Sequence, residues 1–462
     1  MITLAILGLV AAGGLVLAVV AITHRPEYAV PLVLISEIIS SRFTLPTVPV
    51  GSLTVFLSDV PTLVLAAGVV VRPYLGVERR RYSPALLALI LLVGLGLVRG
   101  VRVFGLQIAG NNSREILAFS IAALFFSSVV ITPRFLDALR RWFLLAGIFL
   151  VSTALLFWIQ NGFGGFSTSG QRPLRGLEAL ILLFATIVMI VVPYGRTRTR
   201  NVALPAIGFV VLALTVQRSV AVAGVIALIV IVLIGGRVRT RRSSLVTRIL
   251  LVIGGLAVGF LVLAGPTGLT QDLGTAVETS TAQEGTFSWR LEGWRILVSE
   301  QLKGSVPSIL VGEPAGTSNL RIIGESVVTV APHSEYVSLF KSVGIIGLSV
   351  MVWLLVSTFR RNVVNVRSAL TFTATAGLLF ATLLAAQVVY FITYSSGLIA
   401  GLVVGLSVSL AWFGAVDPEA EAQQDEDSAD VTAPPPTEPP RFGVGASVRR
   451  REPPPIDQPV LS

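Results

Sequence analysis

Along most of the chain, apolar blocks alternate with short polar stretches rich in arginine. The blocks run over 2–22, 28–40, 51–71, 84–98, 115–131, 142–159, 174–193, 202–217, 219–234, 247–265, 336–357, 369–390 and 394–413. Most are close to the roughly 20 residues that carry a helix across a bilayer. Runs such as "LALILLVGLGLV" do not alternate apolar with polar, as barrel strands must. The pattern predicts an all-α polytopic membrane protein with about 12–13 transmembrane helices and one large extracytoplasmic loop containing short helices. Block 28–40 is short and holds Glu37, so a re-entrant segment there is as open as a crossing. The first block follows no basic region and precedes no convincing small-residue cleavage site, and is read as a retained helix.

Four regions follow. Residues 1–265 carry the first set of membrane helices, 266–335 the large loop, 336–413 the last helices, and 414–462 a tail. From Asp417 the tail is acidic and then proline-rich ("APPPTEPP", "REPPP"), with too few apolar residues to offset ordering entropy. It is expected to be disordered. Within the large loop, Phe287, Leu291, Trp294 and Val298 recur at helical spacing, which predicts an amphipathic helix over 287–302. On that helix Arg290 and Arg295 point roughly 140° apart, whereas Arg290 and Trp294 share a side.

Composition sharpens this picture. Hydrophobic residues make up 53% of the chain and charged residues 13%, with a mean hydropathy of +0.83. Soluble domains carry about a quarter charged residues. Cysteine is absent, so disulfides, thiolate ligands and thiol nucleophiles are excluded. The net charge of +10 hides an uneven distribution, because the tail from Asp417 holds ten acidic residues and four arginines. The body before it has 31 basic against 15 acidic residues. Basic clusters at 72–81, 133–141, 195–200, 235–242 and 359–367 fall in alternate connections, which the positive-inside rule places in the cytoplasm. The 160–173 connection and the 266–335 loop are then extracytoplasmic, and the carboxyl terminus cytoplasmic.

Against that rule, Arg99, Arg102, Arg114, Arg172, Arg175, Arg218, Arg290, Arg295 and Arg321 fall on the outer side. Any one of them is accounted for by snorkelling to lipid phosphate. A patch of such charge suits an anionic ligand, because guanidinium donates paired hydrogen bonds and stays charged. Arg218 is the least ordinary. It lies in "LALTVQRSVAVAGVIALIV", where an ionisable group is costly unless paired or hydrated. Only two histidines occur, and His333 stands where the loop turns into an apolar helix, in "VTVAPHSEYVSLFKSVGIIGL". An imidazole there either marks the interface or accepts a proton at working pH.

Other chemistries find little footing. No G-x-x-x-x-G-K-[ST] is present, two histidines without cysteine make no zinc cluster, and the D-x-D "DED" at 425–427 sits in the tail. The basic loops hug the membrane and read as topology signals rather than as a nucleic-acid surface. Ser334 lacks the G-x-S-x-G surroundings of a hydrolase nucleophile.

Taken in order, a membrane "QRS", an R-x-x-x-W in the long loop, "VGEPAG", and "HSEY" leading into "GIIGL" resemble the O-antigen ligase and O-antigen polymerase superfamily of bacterial envelope glycan assembly. The likeness covers about 170–350, and the first 160 residues only by helix number. Ser334 replaces a commoner Asn, and Gln217 a usual Ser. The resemblance implies a multi-pass enzyme of the bacterial cytoplasmic membrane whose active site faces outward. Such an enzyme transfers a glycan from undecaprenyl pyrophosphate to a hydroxyl on a glycan, lipid or protein, with no metal or other cofactor. It further implies that Arg218 and Arg290 hold the pyrophosphate, helped by Arg172, Arg175 and Arg295, with His333 orienting or deprotonating the acceptor. Trp294 and Tyr336 match its aromatic positions, and Tyr336 either stacks on sugar or anchors its helix. A flippase for a lipid-linked sugar would use the same arginines. Charges clustered at one face rather than through the membrane favour the transferase.

Overall fold

Most helices begin within a few residues of an apolar block edge, as at Pro84, Gly176, Arg218, Glu335 and Thr371. The computed structural model describes residues 2–43, 47–50, 53–75, 82–162, 172–192, 200–215, 217–236, 286–323, 326–368, 370–395 and 397–415. The expected span 247–265, the first twenty residues of the large loop and the tail from 416 lie outside the described residues. In chain order the elements are α1 (Ile2–His24), α2 (Ala29–Arg42), β1 (Thr47–Val50), β2 (Leu53–Phe56), α3 (Val60–Val71), α4 (Pro84–Ser127), α5 (Pro133–Asn161), α6 (Gly176–Val191), α7 (Arg200–Leu214) and α8 (Arg218–Gly235). After these come α9 (Thr286–Lys303), α10 (Val306–Val311), β3 (Arg321–Ile323), β4 (Ser326–Val328), α11 (Glu335–Asn365), α12 (Thr371–Tyr390) and α13 (Leu398–Phe413).

Three boundaries differ from the sequence expectation. The block 51–71 is not one helix: a β1–β2 hairpin pairing Thr47 with Phe56 precedes α3. The alternating, β-branched "LTVF" favours a strand even inside an apolar run. Helix α5 begins well before its apolar block, because Thr132 accepts from the Phe135 amide at 3.1 Å and Pro133 occupies the first turn. The blocks 84–98 and 115–131 are joined by helix through the arginine-bearing stretch, broken only at Gly105 (φ 80°, ψ 164°). Both arms of α4 line one cavity, Val93–Leu97 from one and Asn111–Ile116 from the other, so the arms fold back on each other at that break.

Among the described residues, five helices are long and apolar enough to cross a membrane: α4, α5, α8, α11 and α12. Leu91, Phe149, Ile159, Leu233 and Trp353 are exposed on four of them, an outward apolar surface that water would not tolerate. Two shorter apolar helices occupy the interior. Every residue of α6 from Glu178 to Val191 is buried, packed against α2, α5, α7, α8 and α12. Helix α13 is buried from Leu398 to Leu410 against α2, α4, α11 and α12. A helix that is apolar all round can sit at the centre of a protein or face lipid, and periodicity does not separate the two.

The connections sort into two ends. At one end Arg72 donates to Ser128 at 2.8 Å, Arg134 pairs with Glu27 at 3.5 Å, and Ile131 bridges to Ala415. The connections that lead into α6, α8, α11 and α13 meet at the other.

Candidate functional site

The large loop is seated on the bundle by backbone contacts that only glycine permits. Gly312 (φ 83°) ends α10 and lies against the Ser342 backbone, while Gly344 (φ 67°) breaks α11 and lies against Leu310 and Gly312. Around this crossing the Glu313 amide donates to the Lys341 carbonyl at 2.8 Å, and Ala315 to the Gly96 carbonyl at 3.0 Å. Arg99 Nη1 donates to the Gly312 carbonyl at 2.9 Å. The glycine-rich "VGEPAG" stretch is thus pinned between α4 and α11.

Further on, Arg321 in β3 is buried. Its Nη1 donates to the carbonyls of Asn319 and Val330 at 3.0 and 2.8 Å, and its guanidinium lies over the Trp289 ring at 6.0 Å. Burial lowers its pKa. Arg321 therefore ties the β3–β4 hairpin to α9, next to Gly293, whose missing side chain makes the space.

His333 follows directly. The segment carrying it is clamped to the turn after α12, because the Glu335 amide donates to the carbonyls of Phe391 (2.9 Å) and Tyr394 (3.2 Å). That same turn receives Arg290, whose Nη1 donates to the Thr393 carbonyl at 3.3 Å and whose guanidinium lies 5.6 Å from the centre of the Tyr394 ring. His333 reaches solvent, yet partial burial, then the positive charges of Arg290 and Arg321, pull its imidazole pKa below the ordinary value. His333 and Arg290 thus converge although 42 residues of sequence lie between them. Arg295 is elsewhere on α9, exposed and paired with Glu292 at 3.1 Å. Trp294 is half-buried. The Tyr336 hydroxyl donates to the Val388 carbonyl at 3.0 Å and its ring meets Phe391 edge-on, which fastens α11 to α12.

The remaining arginines stand at the starts of α6 and α8. Arg172 Nη1 donates to Gln217 Oε1 at 3.2 Å, and Gln217 Nε2 donates to the Leu174 carbonyl at 2.9 Å. The glutamine at this position is thereby a strut between two helix starts, with exposed Arg218 immediately after it in the first turn of α8. Arg175 donates to the Ser41 carbonyl, and its own amide donates to Glu178 Oε2 at 3.0 Å. Buried Glu178 also accepts from Arg42 at 2.8 Å and Ser41 at 2.6 Å, locking α6 to α2. One residue on from Arg175, Gly176 lies directly under the Tyr394 ring. A continuous path therefore runs from Arg218 through Arg172, Arg175 and Tyr394 to Arg290 and His333.

Two cavities open at this end. One, of about 420 Å³, is lined by Arg114, Arg175, Gln387, Tyr390 and Tyr394 and by the first turn of α13, where Glu37 Oε1 accepts from the Ile399 amide at 3.3 Å. Arg114 there is paired with Asp59 at 2.9 Å and lies over the Phe56 ring. The other, of about 260 Å³, is lined by Asn111, Asn112, Glu313, Asn319, Glu335 and Lys341 among others, and by Ala331 and Pro332 just before His333. Arg114 and Glu115 line both. Comparison with protein-family models and with curated proteins finds no match for this chain. Its chemistry therefore has to be read from these residues.

Sequence reasoning missed Gln387, Tyr390 and Tyr394. The two tyrosines stack with ring centres 4.7 Å apart and planes within 10°. Their i, i+4 spacing in "YFITY", a signal that was available, brings them together where α12 ends and its turn begins, with the Tyr394 amide donating to the Tyr390 carbonyl at 3.1 Å. Among the described residues no group of three or more histidines, aspartates and glutamates is placed to hold a metal ion.

Proposed function

We propose that this chain is an integral-membrane glycosyltransferase of the O-antigen ligase or polymerase type. It moves a glycan from undecaprenyl pyrophosphate to an acceptor hydroxyl, on the outer face of the bacterial cytoplasmic membrane. About a dozen helices span that membrane in this reading, and the carboxyl terminus lies inside. The observation that carries the reading is the turn 391–394, which holds both Arg290 and, through the Glu335 amide, the segment that carries His333, beside the tyrosine-lined cavity. All these residues come from the connections that charge patterning assigns to the outside.

The step is a displacement at the anomeric carbon. The acceptor oxygen forms the new C–O bond, its proton passes to His333, and the bond to pyrophosphate breaks with its electron pair leaving on the lipid diphosphate. A neutral imidazole is the form that accepts a proton, and the two flanking guanidiniums favour that form. Arg290, with Arg175 and Arg218 along the same rim, stabilises the negative charge that grows on the diphosphate, where pre-placed donors do most. Arg172 holds the rim through Gln217. The acceptor, a glycan, lipid or protein hydroxyl, approaches from the side of His333.

The test is glycan transfer by the purified full chain in EDTA with an undecaprenyl-pyrophosphate glycan donor. Product from the wild type and none from a correctly inserted His333→Ala supports the transferase. Donor movement across liposomes without any product would assign the chain to flipping instead.

A further inference from the structure

The 420 Å³ cavity is lined by a buried polar group with no partner among the described residues. Gln387, on α12, is fully buried and lines the cavity, and among the described residues neither Nε2 nor Oε1 has a hydrogen-bond partner. Burying an amide in this way is costly, and native proteins rarely do so without a reason. One turn further along α12, Tyr390 stacks on Tyr394, and both rings wall the same cavity. Ser36, Glu37 and Thr62 line it from α2 and α3. An amide with donor and acceptor side by side, hydroxyls, a carboxylate and an aromatic wall form the set that reads the vicinal hydroxyls and apolar ring face of a sugar. The volume falls in the range of small-molecule sites, which are mostly apolar with a few placed polar groups.

We infer that this cavity is a binding site for one pyranose ring, with Gln387 hydrogen-bonding its hydroxyls and the Tyr390–Tyr394 pair forming its wall. The transferase reading supplies only the identity of that ring, the sugar next to the diphosphate in the donor. Arg175 at the cavity wall and Arg290, 5.6 Å from the Tyr394 ring centre, are then the two guanidiniums nearest the place where the diphosphate leaves. Gln387 is a specificity-determining residue in this assignment, because an amide buried for a hydroxyl rejects an analogue lacking it.

The experiment is saturation-transfer difference NMR on the full chain in nanodiscs. The probes are the methyl glycosides of glucose, galactose, mannose, rhamnose and N-acetylglucosamine. At least one receives saturation from the wild type, loses it in Gln387→Leu, and is weakened in Tyr394→Ala. Thermal unfolding of Gln387→Leu distinguishes a ligand-binding role from a structural one. Without ligand, an apolar residue of similar shape leaves the melting temperature unchanged or raises it, because no internal hydrogen bond is lost. Saturation of none of the five, or saturation that Gln387→Leu leaves intact, overturns the sugar site. A large drop in the melting temperature of Gln387→Leu also overturns it, by making the amide structural. Sugar binding that depends on Gln387, in a protein that transfers no glycan, leaves this site standing and removes the transferase. Glycan transfer unaltered by Gln387→Leu does the reverse.

Discussion

His333 lies beside two guanidiniums, and the sign of their effect is testable. Partial burial and those positive charges depress its pKa, so the imidazole is neutral at pH 7 and activity falls only as pH drops below the usual value of about 6.5. Replacing Arg321 with glutamine removes one positive charge and raises the histidine pKa. The acid limb of kcat/KM against pH should then move to higher pH, and an unmoved limb contradicts the assignment. The folded state binds fewer protons than the unfolded chain between the depressed and the ordinary pKa, so this histidine makes stability rise with pH across that window. Arg290→Lys keeps the charge but loses the planar reach to Thr393 and Tyr394. We expect kcat to fall about 100-fold with membrane insertion unchanged. Much of this was legible in advance: the helical spacing separated Arg290 from Arg295, and the exposed Arg295–Glu292 pair is consistent with that separation. The packing partner of Tyr394 was not legible. Its contact with Gly176 joins residues over two hundred positions apart, and the i, i+4 spacing with Tyr390 marks the tyrosine pair but not the helix start it meets.

At the scale of elements, the site depends on a crossing of two glycines. Gly344 breaks α11 where it meets α10, and a Cβ there would press into the Leu310 carbonyl and the Gly312 amide. Gly344→Ala forces a side chain onto a left-handed backbone, a strain of roughly 1–3 kcal/mol before any clash. We expect a lower melting temperature in detergent and loss of transfer, since the loop carrying Arg290 and His333 loses its seat. A variant as stable as the wild type would contradict the crossing. The break was invisible in the apolar pattern, because "VGIIGLSVMVWLLV" stays hydrophobic straight across it. The β1–β2 hairpin was hidden in the same way, inside a run that hydropathy alone reads as helix. Helix α9 was read almost to the residue, because its amphipathic face stands out in a polar loop.

For the whole molecule, the apolar blocks and alternating basic loops were enough to give an α-helical chain with several helices that fit a bilayer. They could not separate the buried α6 and α13 from lipid-facing helices, since both present apolar surface all round. Sidedness is directly measurable, because the chain contains no cysteine. Single cysteines at Ser305, in the large loop, and at Tyr74, in the turn after α3, lie at positions assigned to opposite faces. A membrane-impermeant maleimide should label Ser305→Cys in intact cells and Tyr74→Cys only after lysis. Labelling of both from outside would break the proposed topology. The central claim is that glycan is transferred at the rim joining His333 to Arg290, and release of undecaprenyl diphosphate tests it most directly. The wild-type chain, given glycan donor and acceptor, should release the lipid diphosphate in step with the glycan transferred. His333→Ala and Arg290→Lys should release almost none. Equal release from His333→Ala, or no release from the wild type while the donor crosses the bilayer, would contradict the account.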